Sequence, residues 1–181
     1  MSSLGRLALA CVTALVLASA ASGCGGHGRA SFEAGVYRDG AVHFQVPAVP
    51  AGWRAIEVSN ATLAFRDDPN AATVLLNARC LESDGDTPLV ALTNHLVIGF
   101  TEREVEAQAP VPFDQREALH TKMRAKFDGV PMALDVFVLK KDGCIYDFVY
   151  MGAPERFAEG AARFESFVRG FRTLPGSGVA S

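Results

Sequence analysis

The sequence has no surplus of basic residues: 17 lysines and arginines face 20 acidic residues, a formal net charge of −3 over 181 residues. Without a positive surface there is little to neutralise phosphates, which argues against nucleic-acid binding. No polybasic patch suggests contact with anionic lipid headgroups either. The four histidines, His27, His43, His95 and His120, stand far apart, and no His-x-x-x-His, Cys-x-x-Cys or His-Glu-x-x-His occurs. Spacing therefore offers no metal ligand set. Gly-x-Ser-x-Gly is missing, and so is a phosphate-binding glycine loop, which removes the commonest signatures of a serine nucleophile and of nucleotide binding. Glu82 to Asp86 and Asp67 to Asn70 are acidic, but neither has the spacing of an EF-hand loop, and both read as turns. The expectation is no catalytic residue, no cofactor and no metal, hence no enzyme.

Long apolar runs are scarce too, and the one present is at the start. Met1 to Arg6 is polar with one positive charge, Leu7 to Leu17 is apolar apart from Thr13, and Ala18 to Gly23 is small. These are the three regions of a secretory signal. The run is shorter than the roughly 20 residues that cross a bilayer, and no basic stop-transfer residues follow. Two cleavage sites compete. Ala18-Ser19-Ala20 suits ordinary signal peptidase and would release a soluble chain. Ala21-Ser22-Gly23-Cys24 resembles the bacterial lipobox, departing from its commonest form at Ala21. That resemblance implies cleavage before Cys24 and lipid on its thiol, a tether worth about 0.8 kcal/mol per buried CH₂. It also implies, from Gly25 in place of Asp, passage to the outer membrane where the host has two membranes.

Cysteine arithmetic points the same way. Cys11 leaves with the signal, so Cys24, Cys80 and Cys144 remain, an odd number in a compartment that disfavours free thiols. With lipid on Cys24, the other two form a natural pair. Alternation in their strands puts Cys80 on the face of Val74, Leu76 and Ala78, and Cys144 on that of Tyr146, Phe148 and Tyr150. A Cys80–Cys144 disulfide is expected; the alternative is two separately buried thiols. Removal of residues 1–23 leaves 16 basic against 20 acidic residues, about −4. Gly25 to Ser31 has a flexible linker's composition. The chain is thus divided into a signal (1–23), a lipidated cysteine and tether (24–31), one globular domain (32–174) and a loose tail (175–181).

Within the domain, Val36 to Arg38 and Ala41 to Val46 flank Asp39-Gly40, a hairpin signal. Trp53 to Val58, Thr62 to Arg66 and Thr73 to Leu81 read as further strands. Thr87 as N-cap and Pro88 at the first helical position open a helix in which Leu89, Leu92, Leu96 and Phe100 recur at helical spacing through about Glu102. Arg103 to Phe113 alternates weakly, but Pro110 and Pro112 confine it to an edge or a short piece. Ala118 to Phe127, Met132 to Leu139 and Cys144 to Met151 are strands. The last two are apolar on both parities and are expected centrally, covered on both faces. A closing helix runs from Pro154 to about Phe171, with Phe157, Ala161, Phe164, Val168 and Phe171 as its stripe, read as core. His43 and His120 are placed on wet strand faces and His95 on the first helix.

This order of elements resembles the PsbP-like fold, an α-β-α sandwich around an antiparallel sheet found in a photosystem II subunit and in bacterial envelope lipoproteins. Val46-Pro47 through Gly52-Trp53 resembles that group's "P…GW" entry. Asp142-Gly143-Cys144-Ile145-Tyr146 resembles its late hairpin, and Phe164-Glu165-Ser166-Phe167 to Phe171 its terminal helix. The likeness covers about residues 34–173 and implies an α+β class with helices covering an antiparallel sheet. Members of the group mostly act as binding or assembly factors, so it names no activity. The resulting expectation is a lipid-anchored, non-catalytic envelope module with a membrane anchor and a protein partner in an envelope complex. The alternative is a carrier of a lipid or other apolar ligand.

Overall fold

The computed structural model describes residues 30–80 and 86–176. The expected signal, Cys24 and the tether as far as residue 29 lie outside these residues, as do residues 81–85 of the acidic loop and the tail from residue 177. Two antiparallel sheets form the domain. The smaller consists of β1 (Ser31–Glu33), β2 (Val36–Asp39), β3 (Val42–Gln45) and β11 (Arg172–Thr173). The larger has seven strands: β4 (Trp53–Ala55), β5 (Leu63–Asp67), β6 (Ala72–Cys80), β7 (Thr101–Phe113), β8 (Arg116–Phe127), β9 (Val130–Lys141) and β10 (Cys144–Gly152). Their spatial order is β4-β5-β6-β10-β9-β8-β7. Helix α1 (Leu89–Leu96) lies on one face and α2 (Phe157–Arg169) on the other.

Each face has its own core. Val42, Phe44 and Val46 from the small sheet join Phe164, Phe167 and Val168 of α2 over Phe137, Tyr146, Phe148 and Tyr150. On the opposite face Leu92 and Val97 cover Met123, Leu134, Val136, Val138, Ile145 and Val149. The double apolar parity of β9 and β10 is thus answered by burial on both sides, and both strands are central. The class is α+β, as expected.

Strands β7 to β10 form a meander whose hairpins all have two-residue turns with positive φ: Asp114-Gln115 (43° and 65°), Asp128-Gly129 (49° and 80°) and Asp142-Gly143 (53° and 73°). Such primed turns match the right-handed twist of the strands they join, and Asp-Gly suits them because Asp tolerates and Gly favours positive φ. Asp114-Gln115 lacks the glycine and escaped notice in the sequence. In the first hairpin Asp39 pairs with Val42, which moves the tip one residue on, to Gly40-Ala41.

Other expectations need correction. The first helix ends at Leu96, well short of the expected Glu102. Pro88, not Thr87, occupies the N-cap position, with no side-chain cap. Its end is tightened by Ile98 N–H donating to His95 O and Phe100 N–H to Val97 O. Phe100 therefore sits in the turn into β7, packed against Phe127 with ring planes tilted by 46° and centroids 5.2 Å apart. The closing helix starts with a short 3₁₀ turn (Pro154–Arg156) and stops before Phe171. The fourth strand reaches only Ala55, short of the expected Val58, although Ile56 N–H still donates to Ala64 O, the next residue in register.

Strand β7, at 13 residues, is far longer than its prolines suggested, but it is an edge. Phe113 and Arg116 close the two-residue turn, so alternation turns the nitrogens of Pro112 and Pro110 toward the open edge. Neither missing N–H is needed by the ladder.

Candidate functional site

Helix α2 lies over the middle of its face and leaves the outer strands partly open. Along β8 the residues on that face are Ala118, His120, Lys122 and Arg124. The first is core and the others line the margin of α2. Asp135, fully buried on β9, lies directly across from Lys122 on one side and Tyr150 on the other. Burying a carboxylate is unfavourable without partners, and the margin supplies them. His120 Nε2 is 2.5 Å from Asp135 Oδ1, its ring stacked on Phe137 at 3.9 Å between centroids. Lys122 Nζ lies 3.9 Å from Asp135 Oδ2 and donates to Glu165 Oε1 of α2 at 2.8 Å. Glu165 in turn faces Arg169 one helical turn on, at 3.6 Å.

His120 is consequently not on a wet face: its side chain is 17% exposed. His120, Asp135 and Glu165 bring one ligand-type atom each within 4.8 Å of one another. Glu165 also lines a groove of about 570 Å³ between α2 and the outer strands. Glu106, Lys122, Arg124, Glu165 and Arg169 give it charge of both signs, and Phe157 and Ala161 give it an apolar wall.

The electrostatics of the margin keep its charges ionised. The hydrogen bond to Glu165 raises the Lys122 ammonium above its usual value against a smaller opposing effect of burial, with help from the Asp135, Glu165 and Glu106 charges. Burial alone would raise the Glu165 carboxyl, but the Lys122 hydrogen bond and the charges of Lys122, His120 and Arg169 leave it below its ordinary value. Both groups stay ionised at neutral pH. A proton-transfer pair needs the reverse, values drawn toward the working pH.

Three further buried carboxylates are structural. Asp67 accepts from Asn70 Nδ2 at 2.8 Å and from the Tyr150 hydroxyl at 2.9 Å; it ends β5 as well as starting the expected turn. Asp114 accepts from Lys141 Nζ at 2.8 Å and from the backbone and hydroxyl of Thr173 at 2.9 and 3.0 Å. It thereby pins the β7–β8 turn to the small sheet. Asp147 meets Arg79 at 2.7 Å under α1. Burial raises its carboxyl above the ordinary value, and Arg79 offsets only part of that.

Cys80 and Cys144 are directly opposite in the β6–β10 ladder and are bonded, with Cα atoms 3.9 Å apart. Both lie on the face toward α2, as alternation placed them. Cys24 and His27 lie outside the described residues. The other histidines are not gathered: His43 belongs to β3 and His95 to α1, on opposite sides of the large sheet. The cluster around His120 went unread in the sequence, although two signals were present. His120, Lys122 and Arg124 alternate on one face of β8, and Asp135 is the one charged residue in the apolar run Met132 to Leu139 of a central strand. Glu165 could not have been added to them without the packing of α2.

No protein-family model and no curated protein sequence matches the chain. Solved structures do. Cyanobacterial PsbP (CyanoP) from Synechocystis sp. PCC 6803 superposes with a TM-score of 0.55 at 18% identity, covering 83% of this chain and 97% of that one. LpqN, involved in cell envelope biogenesis of Mycobacterium tuberculosis, superposes with a TM-score of 0.52 at 15% identity, over 73% of this chain and 83% of that one. Identity at this level speaks to architecture, not activity. The domain has the PsbP-like fold.

Proposed function

We propose that the chain is a non-catalytic binding or assembly module for a cell-envelope complex, held at the membrane by lipid on Cys24. The observation that carries the reading is the margin of α2. There a groove of about 570 Å³ is lined by paired charges of both signs beside an apolar wall. Groups locked in their ionised forms recognise a partner's charges without exchanging protons with it, and polar rims around apolar contacts are the usual anatomy of such surfaces. LpqN, with the same fold, is involved in envelope biogenesis in its own organism, which fits the reading. Among the described residues no helix is long and apolar enough to cross a membrane. Attachment in this proposal therefore rests on the lipobox-like Ala21 to Cys24.

The apolar-carrier alternative has lost its motive. The apolar residues on both faces of β9 and β10 are buried beneath the domain's own α1, α2 and small sheet.

The test is mild crosslinking in intact cells followed by purification from detergent-solubilised membranes. A discrete partner should be recovered with the wild type and lost when Lys122→Glu and Arg124→Glu reverse the charge of the groove. Recovery of the chain alone would refute the proposal. Cys24→Ser should move the protein to the soluble fraction, and a variant that stays with the membranes would overturn the anchor.

A further inference from the structure

We propose that His120, Asp135 and Glu165 form a divalent-cation site at the edge of the α2 groove, whose cation position is held by the Lys122 ammonium until a metal ion displaces it. The donor set is one imidazole and two carboxylates, from three different elements, β8, β9 and α2. Their ligand atoms lie within 4.8 Å of one another. A tetrahedral ion with bonds of about 2.0–2.1 Å needs ligands roughly 3.3 Å apart. To take up that separation His120 Nε2 gives up its contact with Asp135 Oδ1, any proton it carries passing to solvent, and Glu165 gives up its bond from Lys122.

A second observation points to a cation ligand. Asp135 is wholly buried, and its Oδ2 has no hydrogen-bond partner. That oxygen faces Lys122 Nζ at 3.9 Å, beyond hydrogen-bond range. Leaving a buried carboxylate oxygen unmatched is unfavourable, and the lysine compensates only by its charge. A divalent ion would bind that oxygen directly. Lys122 can leave, since its side chain is 40% exposed and the Glu106 carboxylate already attracts it on the groove side. With the ammonium withdrawn, the ion's two positive charges balance those of Asp135 and Glu165. Nitrogen with carboxylate oxygen suits zinc, with three protein ligands and a fourth position open to water or to a partner's side chain. Sequence spacing hides such a site because its ligands stand 15 and 30 residues apart along the chain.

The test uses the detergent-solubilised full chain and zinc chloride alone, by calorimetric titration and by competition with a chromogenic chelator. One ion per chain is expected. Lys122→Met, which removes the resident cation, should tighten binding severalfold. His120→Asn should weaken it at least tenfold. Glu165→Gln, on the surface of α2, should also weaken it and provides the measurement if His120→Asn does not fold. No stoichiometric binding at millimolar zinc, or binding unchanged by Glu165→Gln, would overturn the site. Affinity that does not rise in Lys122→Met would overturn the displacement. The assay contains no partner protein, so its failure leaves the docking proposal standing, and the failure of docking leaves the ion site standing.

Discussion

The hydroxyl of Tyr150 occupies the space where a side chain on Gly160 would begin. A Cβ placed on that glycine would overlap Tyr150 Oη and come within 2.8 Å of Asp67 Oδ2. The contact lets α2 settle onto the sheet at the point where Tyr150 donates to Asp67. Burial, followed by the Asp67 hydrogen bond and charge, pushes the Tyr150 phenol far above its usual value, so it remains a donor.

Gly160→Ala should therefore destabilise the domain. At an unconstrained helix position the same change stabilises by about 1 kcal/mol. Here overpacking reverses the sign and should cost about 2 kcal/mol net. Thermal unfolding decides it: a melting temperature equal to or above the wild type's would show that α2 does not sit this close to Tyr150.

The disulfide closes a long stretch of chain, 64 residues in separation. On the chain-entropy account that is worth about 4 kcal/mol. Reduction, or Cys80→Ala with Cys144→Ala, should lower the melting temperature by roughly 10 °C. Calorimetry with and without reductant measures it, alongside the intact mass of the oxidised protein. Two free thiols in the mature protein would remove the prediction.

Acid sensitivity should trace in part to Asp114. Burial alone would raise its carboxyl, but hydrogen bonds from Lys141 and Thr173 and the Lys141 charge hold it below the usual range. A carboxyl lowered on folding contributes stability that is present above its unfolded value and lost as pH falls through its folded value. Asp114→Asn should cost about 3 kcal/mol at neutral pH, because it leaves the buried Lys141 ammonium unmatched. The gap to the wild type should shrink in acid. Asp147 has the opposite sign: its raised carboxyl contributes stability at low pH that is lost as pH rises through the folded value. Melting curves from pH 7 to pH 2 separate the two. A constant gap for Asp114→Asn would contradict the assignment.

Long edge strands invite pairing with other chains unless something blocks them. With Pro110 and Pro112 turning their missing donors outward, β7 is blocked over its second half. Register shifts between Thr101 and Glu104, and between Val105 and Ala107, disturb the first half. Pro110→Thr with Pro112→Thr should open the edge to self-association. The measurement is light scattering on the Cys24→Ser background at rising concentration. A monomer throughout would show that the bulges suffice.

Sequence alone determined those features whose cause is local. Alternation placed Cys80 with Val74, Leu76 and Ala78 and Cys144 with Tyr146, Phe148 and Tyr150, double apolar parity marked β9 and β10 as central, and Asp142-Gly143 marked the late hairpin. The prolines of β7 marked an edge, because a residue without N–H can occupy a ladder only where that donor is not needed. Tertiary structure decided what depends on which surfaces meet. Apolar spacing extended α1 to Phe100 because a helical period and a turn packed on Phe127 put the same residue on the core. His120 looked wet because its alternation shows only which face it shares, not that Asp135 lies beside it across the ladder or that α2 brings Glu165 above it. A cluster whose members come from β8, β9 and α2 has no spacing to read, since the distances between its side chains are set by the register of two strands and the docking of a helix.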